Sequence, residues 1–463
     1  MAETNALSIK KRAISDDFLK KFIDTNGIYK NLINLIDKNG IYKSRFMLNL
    51  RGTSVQIYYK CKHVLTIFEK KDSQHKDKNK KDSQHKDKNK FECTIKYIHN
   101  KKENKKWDKT FFDLDKLPLH EEKGDKYAFY LSDNEVRDFD WKTLFNALCD
   151  GIDFCFTYKN EAEKEVQQRI WFENNIARSA NSTEYVIVDT EYAVSHGGRF
   201  DFWAFYWPDH SARHPSELVC IELKYGQTAV NDKNSGDEAQ EDKKQSSLKG
   251  HLIDFRNFND FLKTNDDDIN ISKGGPNTNK DDQNTEQDKL KKSFYEDISK
   301  VFGQLYKMGM IDMSLEKWVK TSINKNKYPI LIDKTTKKQM MFMLANYKPK
   351  ASVLENQILA LIAEQMGVDE NKKMVEQYVK ISNKTSKSNT DIETLDLLTK
   401  NIIKMIEQYF ADDEINDEEV SFANSSYCGY GLYKQNTSSL KDIINDLKIV
   451  DKLKEYIKKV KHA

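Results

Sequence analysis

The stretch that constrains this chain most runs from Thr183 to Tyr225 and reads as three successive strands. The third, Glu217-Leu218-Val219-Cys220-Ile221-Glu222-Leu223-Lys224-Tyr225, has the run length and β-branching of a buried strand, yet it ends on a carboxylate and an ammonium. Side chains two apart on a strand share a face, so Glu222 and Lys224 point the same way as Leu218 and Cys220. On the second strand Asp201 shares its face with Arg199 and Trp203. Pairing of these two strands predicts two carboxylates and an ammonium at one end of an apolar sheet.

Two hard carboxylate oxygens suit Mg²⁺ or Mn²⁺, leaving coordination positions for water and a substrate phosphate. A lysine beside them orients the attacking water or offsets developing charge. An acidic residue two before a lysine says nothing alone in a chain this charged, since Glu69/Lys71, Glu103/Lys105 and Asp446/Lys448 also fit. The strand around Glu222 is what sets it apart. The competing reading is an edge-strand ion pair on a solvated face.

Asp201, a gap, then Glu222-Leu223-Lys224 resembles the PD-(D/E)xK nuclease superfamily, with Arg199-Phe200-Asp201 where the family pattern has proline before the aspartate. The resemblance covers roughly the middle of the chain. It implies a restriction-endonuclease-like, RecB-like core: an α/β mixed sheet of order α-β-β-β-α-β, in a chain that is α+β overall. It also implies a metal-dependent nuclease acting on nucleic acid, DNA in the first place, with Asp201 and Glu222 holding the metal and Lys224 assisting. Many stand-alone bacterial proteins with this core serve restriction or antiphage defence. In such proteins a helix before the first core strand often supplies another acid, and Glu165 resembles that residue, with Glu161 and Glu163 as rivals. Gln304 and Tyr306 partly match a Gln and Tyr found on a later helix of RecB-like relatives.

Three regions follow. Residues 1–130 hold a helix and an antiparallel β meander (SRFMLNLRG, SVQIYYK, HVLTIFEK, FECTIKYIHN), interrupted at 71–90 by a tandem KDSQHKDKNK that has no apolar residue and reads as a solvated loop. His75 and His85 within it have no partner chemistry for a metal. Residues 131–350 carry the core, with a polar insertion over 226–290, and KKQMMFMLANYKPK as its closing strand. Residues 351–463 are mainly helical, broken by VSFANSSYCGYGLY, whose tyrosines either stack on bases or pack on the helices. Glu191 ends the first core strand, as a further metal carboxylate or a partner of Arg199, and His196 belongs to the turn that follows.

The net charge of +3 over 463 residues excludes a polycation, so any grip on nucleic acid is local. Six cysteines show no CxxC pair or zinc spacing and read as core residues. With no apolar signal core and no membrane-spanning run, a reducing cytoplasm is the expected compartment. Partners other than nucleic acid are a second copy or a partner subunit. Two alternatives stand beside the active nuclease: a nuclease subunit silent until an effector or partner joins, and a non-catalytic nucleic-acid-binding protein that keeps the fold.

Overall fold

A computed structural model describes residues 10–23, 28–30, 46–60, 62–69, 91–96, 98–100, 105–107, 120–123, 126–132, 134–155, 162–193, 199–208, 213–225, 247–263, 280–345, 351–412, 419–424 and 430–461. The decapeptide repeat with His75 and His85, the turn with His196, Glu161 and most of the polar insertion lie outside them. The chain is mixed α/β, with two six-stranded sheets among the described residues.

The first sheet is antiparallel. After helix α1 (Asp16–Phe22) come β1 (Phe46–Leu50), β2 (Ser54–Tyr59), β3 (Lys62–Glu69) and β4 (Phe91–Lys96), then the short ribbon β5 (Ile98–Asn100) and β6 (Lys105–Trp107), then β7 (His120–Lys123) and β8 (Lys126–Leu131). The order is β1-β2-β3-β4-β8-β7, so the expected meander is present, with β8 laid against its last strand. The β1–β2 turn needs its glycine. Gly52 has φ +65°, and a Cβ there would stand 2.8 Å from the Lys11 carbonyl oxygen.

Helices α2 (Glu135–Asp138), α3 (Trp141–Cys155), α4 (Ala162–Asn175) and α5 (Arg178–Asn181) lead into β9 (Tyr185–Ala193), β10 (Arg199–Tyr206) and β11 (Glu217–Tyr225). Then follow α6 (Leu248–Lys263), α7 (Lys280–Lys307), α8 (Lys317–Asn324) and β12 (Lys337–Ala345). The helical, thrice-stranded, helical and stranded order expected of this region is therefore the observed element order. Helix α7 starts at Lys280, inside the segment read from sequence as polar insertion; its later apolar residues Phe294, Ile298, Val301, Phe302 and Leu305 are buried and hold it on the sheet.

The remaining helices are α9 (Ala351–Gln365), α10 (Asp369–Ser382), α11 (Asn389–Ala411), α12 (Leu440–Asp446) and α13 (Ile449–Lys461), with strands β13 (Val420–Asn424) and β14 (Thr437–Ser439) both between α11 and α12. These strands extend the core sheet, whose order is β14-β13-β12-β11-β10-β9. β9, β10 and β11 are antiparallel neighbours; β12 and β13 join in parallel, each after a helical crossover. Central β11 is buried from Glu217 to Lys224, as befits a strand with layers on both faces.

An ionic junction ties the two sheets. Asp189 on β9, 5 % exposed, lies 2.7 Å from Arg51 Nη1 in the β1–β2 turn and 3.2 Å from Arg12 Nε. Arg51 Nη2 also donates to the Thr190 carbonyl, and Asp297 of α7 accepts the backbone N–H of Arg12 and Ala13. Simple alternation places Asp189 and Glu191 on one face of β9. The register against β10 slips between Trp203 and Ala204, leaving Val188 as an extra residue ahead of both, and beyond Asp189 the alternation is broken at Glu191, which takes φ +51°. Among the described residues Glu191 has no ion pair with Arg199; its carbonyl receives Arg12 Nη2, and its charge is felt by the Tyr58 hydroxyl.

Candidate active site

The β10–β11 register pairs Phe202 with Ile221, and one step further along it Asp201 stands opposite Glu222. Directly opposed residues of an antiparallel pair project to the same side, about 5 Å apart at Cβ. Lys224 follows Glu222 on that face. The structure thus brings together Asp201, Glu222 and Lys224, at the end of a strand whose earlier positions, Leu218 and Cys220, sit in the core.

Each carboxylate has acquired its own partners. Asp201 accepts Gln167 Nε2 at 2.6 Å and the Leu223 backbone N–H at 2.8 Å. Glu222, 7 % exposed, has its Oε1 at 2.9 Å from Lys224 Nζ and 3.0 Å from His251 Nε2, while Lys224 Nζ and His251 Nε2 are 3.1 Å apart. These contacts pull the two acids in opposite directions. Burial first, then the charge of Glu222, hold the Asp201 carboxyl well above the usual carboxylate range. Burial also pushes Glu222 upward, but the bond and charge of His251 and the Lys224 ammonium outweigh it and leave Glu222 below its ordinary value. Two facing carboxylates driven apart in this way are a frequent property of acid–base and metal sites.

Helix α4 crosses the end of this pair. Glu163 and Gln167, one turn apart, occupy one side of it, the side that meets the site. Gln167 touches Asp201, and Glu163, at the solvent margin, is raised by burial and senses both Lys224 and Glu222. Glu165 lies two residues from either, about 200° round the helix, and among the described residues it makes no hydrogen bond or ion pair with Asp201 or Glu222 and is not among the charges that shift them. The helical acid near the site is therefore Glu163 and not Glu165. Gln304 and Tyr306 lie elsewhere: Gln304 clasps both backbone groups of Ile14, and Tyr306 stacks on Phe302.

Two participants escape a sequence reading. Gln167 enters the sequence reading only within the Val-Gln-Gln that follows Glu165, with no role of its own. His251 does leave a trace, because His251, Phe255, Phe258 and Leu262 follow the i, i+4, i+7, i+11 stripe of α6, which puts an imidazole on the buried side of the first helix after Lys224. Of the late tyrosines, Tyr427 lies outside the described residues; the Tyr430 ring lies 4.6 Å from the Arg169 guanidinium, and the Tyr433 hydroxyl donates to the Asn181 carbonyl. Cys93, Cys149 and Cys220 are buried free thiols.

Among the described residues no three carboxylate, imidazole or thiol groups are pre-assembled around one cation position. The donor set nonetheless fits a hard cation. Mg²⁺ commonly uses only one or two protein carboxylates and keeps its remaining positions for water and phosphate. A dication placed between Asp201 and Glu222 would also relieve the repulsion that raises Asp201. Among the described residues no helix is long and apolar enough to cross a membrane. Comparison of the chain with protein-family models, with curated proteins and with solved structures returns no match.

Proposed function

We propose that this chain is a metal-dependent phosphodiesterase of the PD-(D/E)xK type with a restriction-endonuclease-like core, cutting DNA. The supporting observation is the placement of Asp201 opposite Glu222 on neighbouring strands, with Lys224 on the same face at the end of a buried strand. Bound Mg²⁺ or Mn²⁺ would polarise the scissile phosphate and lower the pKa of a bound water. Asp201 and Glu222 would hold the cation, Gln167 and the Leu223 N–H fix the Asp201 carboxylate, and Lys224 orients the attacking water or meets charge developing on the phosphate. Glu163, at the margin, is the candidate additional acid. A setting in restriction or antiphage defence follows from the family resemblance alone.

One observation favours the variant in which the nuclease is silent until a partner or effector joins. Both oxygens of Asp201 and one of Glu222 already accept hydrogen bonds, and Lys224 is drawn onto Glu222 rather than outward. The experiment is cleavage of supercoiled, linear duplex and single-stranded DNA, and of RNA, with Mg²⁺ or Mn²⁺, comparing wild type with Asp201→Ala and Lys224→Ala. Metal-dependent cutting of DNA that both substitutions abolish is the expected result. Cutting that survives both would refute the assignment, and a folded wild type that cuts nothing would shift the reading to the silent subunit.

A further inference from the structure

The two strands that carry the site part at its mouth. Backbone pairing of β10 with β11 runs from Tyr206–Glu217 to Phe202–Ile221, and beyond it the Leu223 N–H bonds the Asp201 carboxylate. On its other side β10 stays paired with β9 as far as Arg199–Ala193. Arg199 therefore stands at the rim of the fork, two residues before Asp201. It alone is exposed in a strand whose other positions are buried or half-buried. Among the described residues it makes no hydrogen bond, ion pair or ring contact. The acids beside it in the sheet are engaged elsewhere. Both oxygens of Asp201 accept neutral donors, Gln167 Nε2 and the Leu223 N–H, while Glu191 takes φ +51° and its charge is felt by the Tyr58 hydroxyl. Neighbouring cations are already paired, Lys224 with Glu222 and both Arg12 and Arg51 with Asp189.

Resting on the nuclease reading, we propose that Arg199 is a substrate-binding residue of the site and holds the DNA backbone phosphate next to the scissile one. A dication between Asp201 and Glu222 brings that centre to neutrality, and Lys224 then offsets the single charge of the scissile phosphate. The adjacent phosphate of the same DNA strand brings a further charge, for which that set has no cation. Two residues of β-strand span about 7 Å, so Arg199 is set off from the cation position by a distance comparable with the separation of successive phosphates. A guanidinium grips two phosphate oxygens at once and keeps its charge at any working pH. Such a contact fixes the register of the DNA strand over the carboxylates and reads no base, so it serves every sequence alike.

Binding of a fluorescently labelled duplex to the full-length protein, followed by anisotropy over a salt series in EDTA and in Ca²⁺, tests this without relying on cleavage. Arg199→Gln should weaken binding about ten-fold at about 0.1 M salt and lower the slope of log affinity against log salt by about 0.9, the release of one counterion. The loss should be equal for two unrelated sequences. Arg199→Lys should restore the slope but only part of the affinity, because an ammonium has no fork. In cleavage assays of Arg199→Gln, kcat/KM should fall with the affinity, most of it in KM, while Mg²⁺ uptake in calorimetry stays at the wild-type value. Arg213→Gln, which removes an exposed arginine ahead of the opposite end of β11, should change neither affinity nor slope. A folded Arg199→Gln with wild-type affinity and salt slope, or one weakened for a single sequence, would overturn the role of Arg199 while leaving the nuclease reading intact. A wild type that binds no DNA under either condition and cuts none with Mg²⁺ would overturn both.

Discussion

Replacing Asp201 with asparagine should make the cation-free protein more stable while removing its response to Mg²⁺. Burial and Glu222 raise the Asp201 carboxyl above its ordinary value, so the ionised form opposes folding. Taking the roughly 5 Å Cβ spacing of directly opposed residues as the charge separation, two carboxylates repel by roughly 3 kcal/mol at an effective dielectric constant of about 20. Asparagine keeps both partners, with its oxygen accepting the Leu223 N–H and its amide donating to a rotated Gln167. Loss of charge from these bonds costs about 1 kcal/mol, leaving a net gain of about 2 kcal/mol. For a chain of 463 residues the unfolding entropy is about 1 kcal/mol/K, so the gain corresponds to a rise in Tm of about 2 °C. The sign with pH follows from a folded pKa above the unfolded one. The penalty is absent below the unfolded value, near 3.9, and complete above the raised folded value, so the advantage of the variant should vanish on acidification. Scanning calorimetry in EDTA at pH 7.5 and again at acid pH, then with Mg²⁺, checks each part. A variant less stable than wild type at pH 7.5 in EDTA, or one that Mg²⁺ stabilises as much as wild type, would refute the reasoning.

The two acids of helix α4 should separate cleanly. Glu163→Gln is expected to weaken Mg²⁺ binding about ten-fold in calorimetry, as outer-shell substitutions do, whereas Glu165→Gln should leave it within error. Asp189→Ala strands two arginines that share one buried carboxylate, and urea unfolding should register a loss of about 3–5 kcal/mol. Gly52→Ala forces an L side chain into positive φ against the Lys11 carbonyl, and the same titration should show a loss of about 1–3 kcal/mol; an unchanged midpoint would mean that the turn relaxes freely.

The parts of the fold legible in sequence were those governed by short-range pattern. The β9–β11 strands are continuous apolar or alternating runs, and the motif at the end of β11 marks itself because charges on such a strand are costly. What pattern misses is phase and distance. One extra residue, Val188, changes which side chains of β9 face the arginines, and alternation cannot reveal it. Choosing between Glu163 and Glu165 requires the rotation of α4 about its axis, which the sheet decides and the helix does not. Gln304 suggested a site residue by its place after the lysine, but α7 presents it to the N-terminal segment at Ile14. β13 looked like an interruption between helices, yet its pairing with β12 spans some eighty residues of intervening chain, a relation no local window contains.

That pairing also sets a timetable. β11, which carries Glu222 and Lys224, gains its parallel neighbour only after residue 337 has been made, and β12 is itself an open edge until residues 420–424 arrive. During synthesis at roughly 5–20 residues per second, Glu222 and Lys224 therefore spend several seconds on a strand without one of its flanking partners. Contacts so distant in sequence close slowly, and an unpaired apolar edge invites the wrong neighbour. The region that looks most like an appendage is thus the last part of the scaffold to arrive, and a nascent chain lacking it would have the site's residues without the finished sheet that supports them.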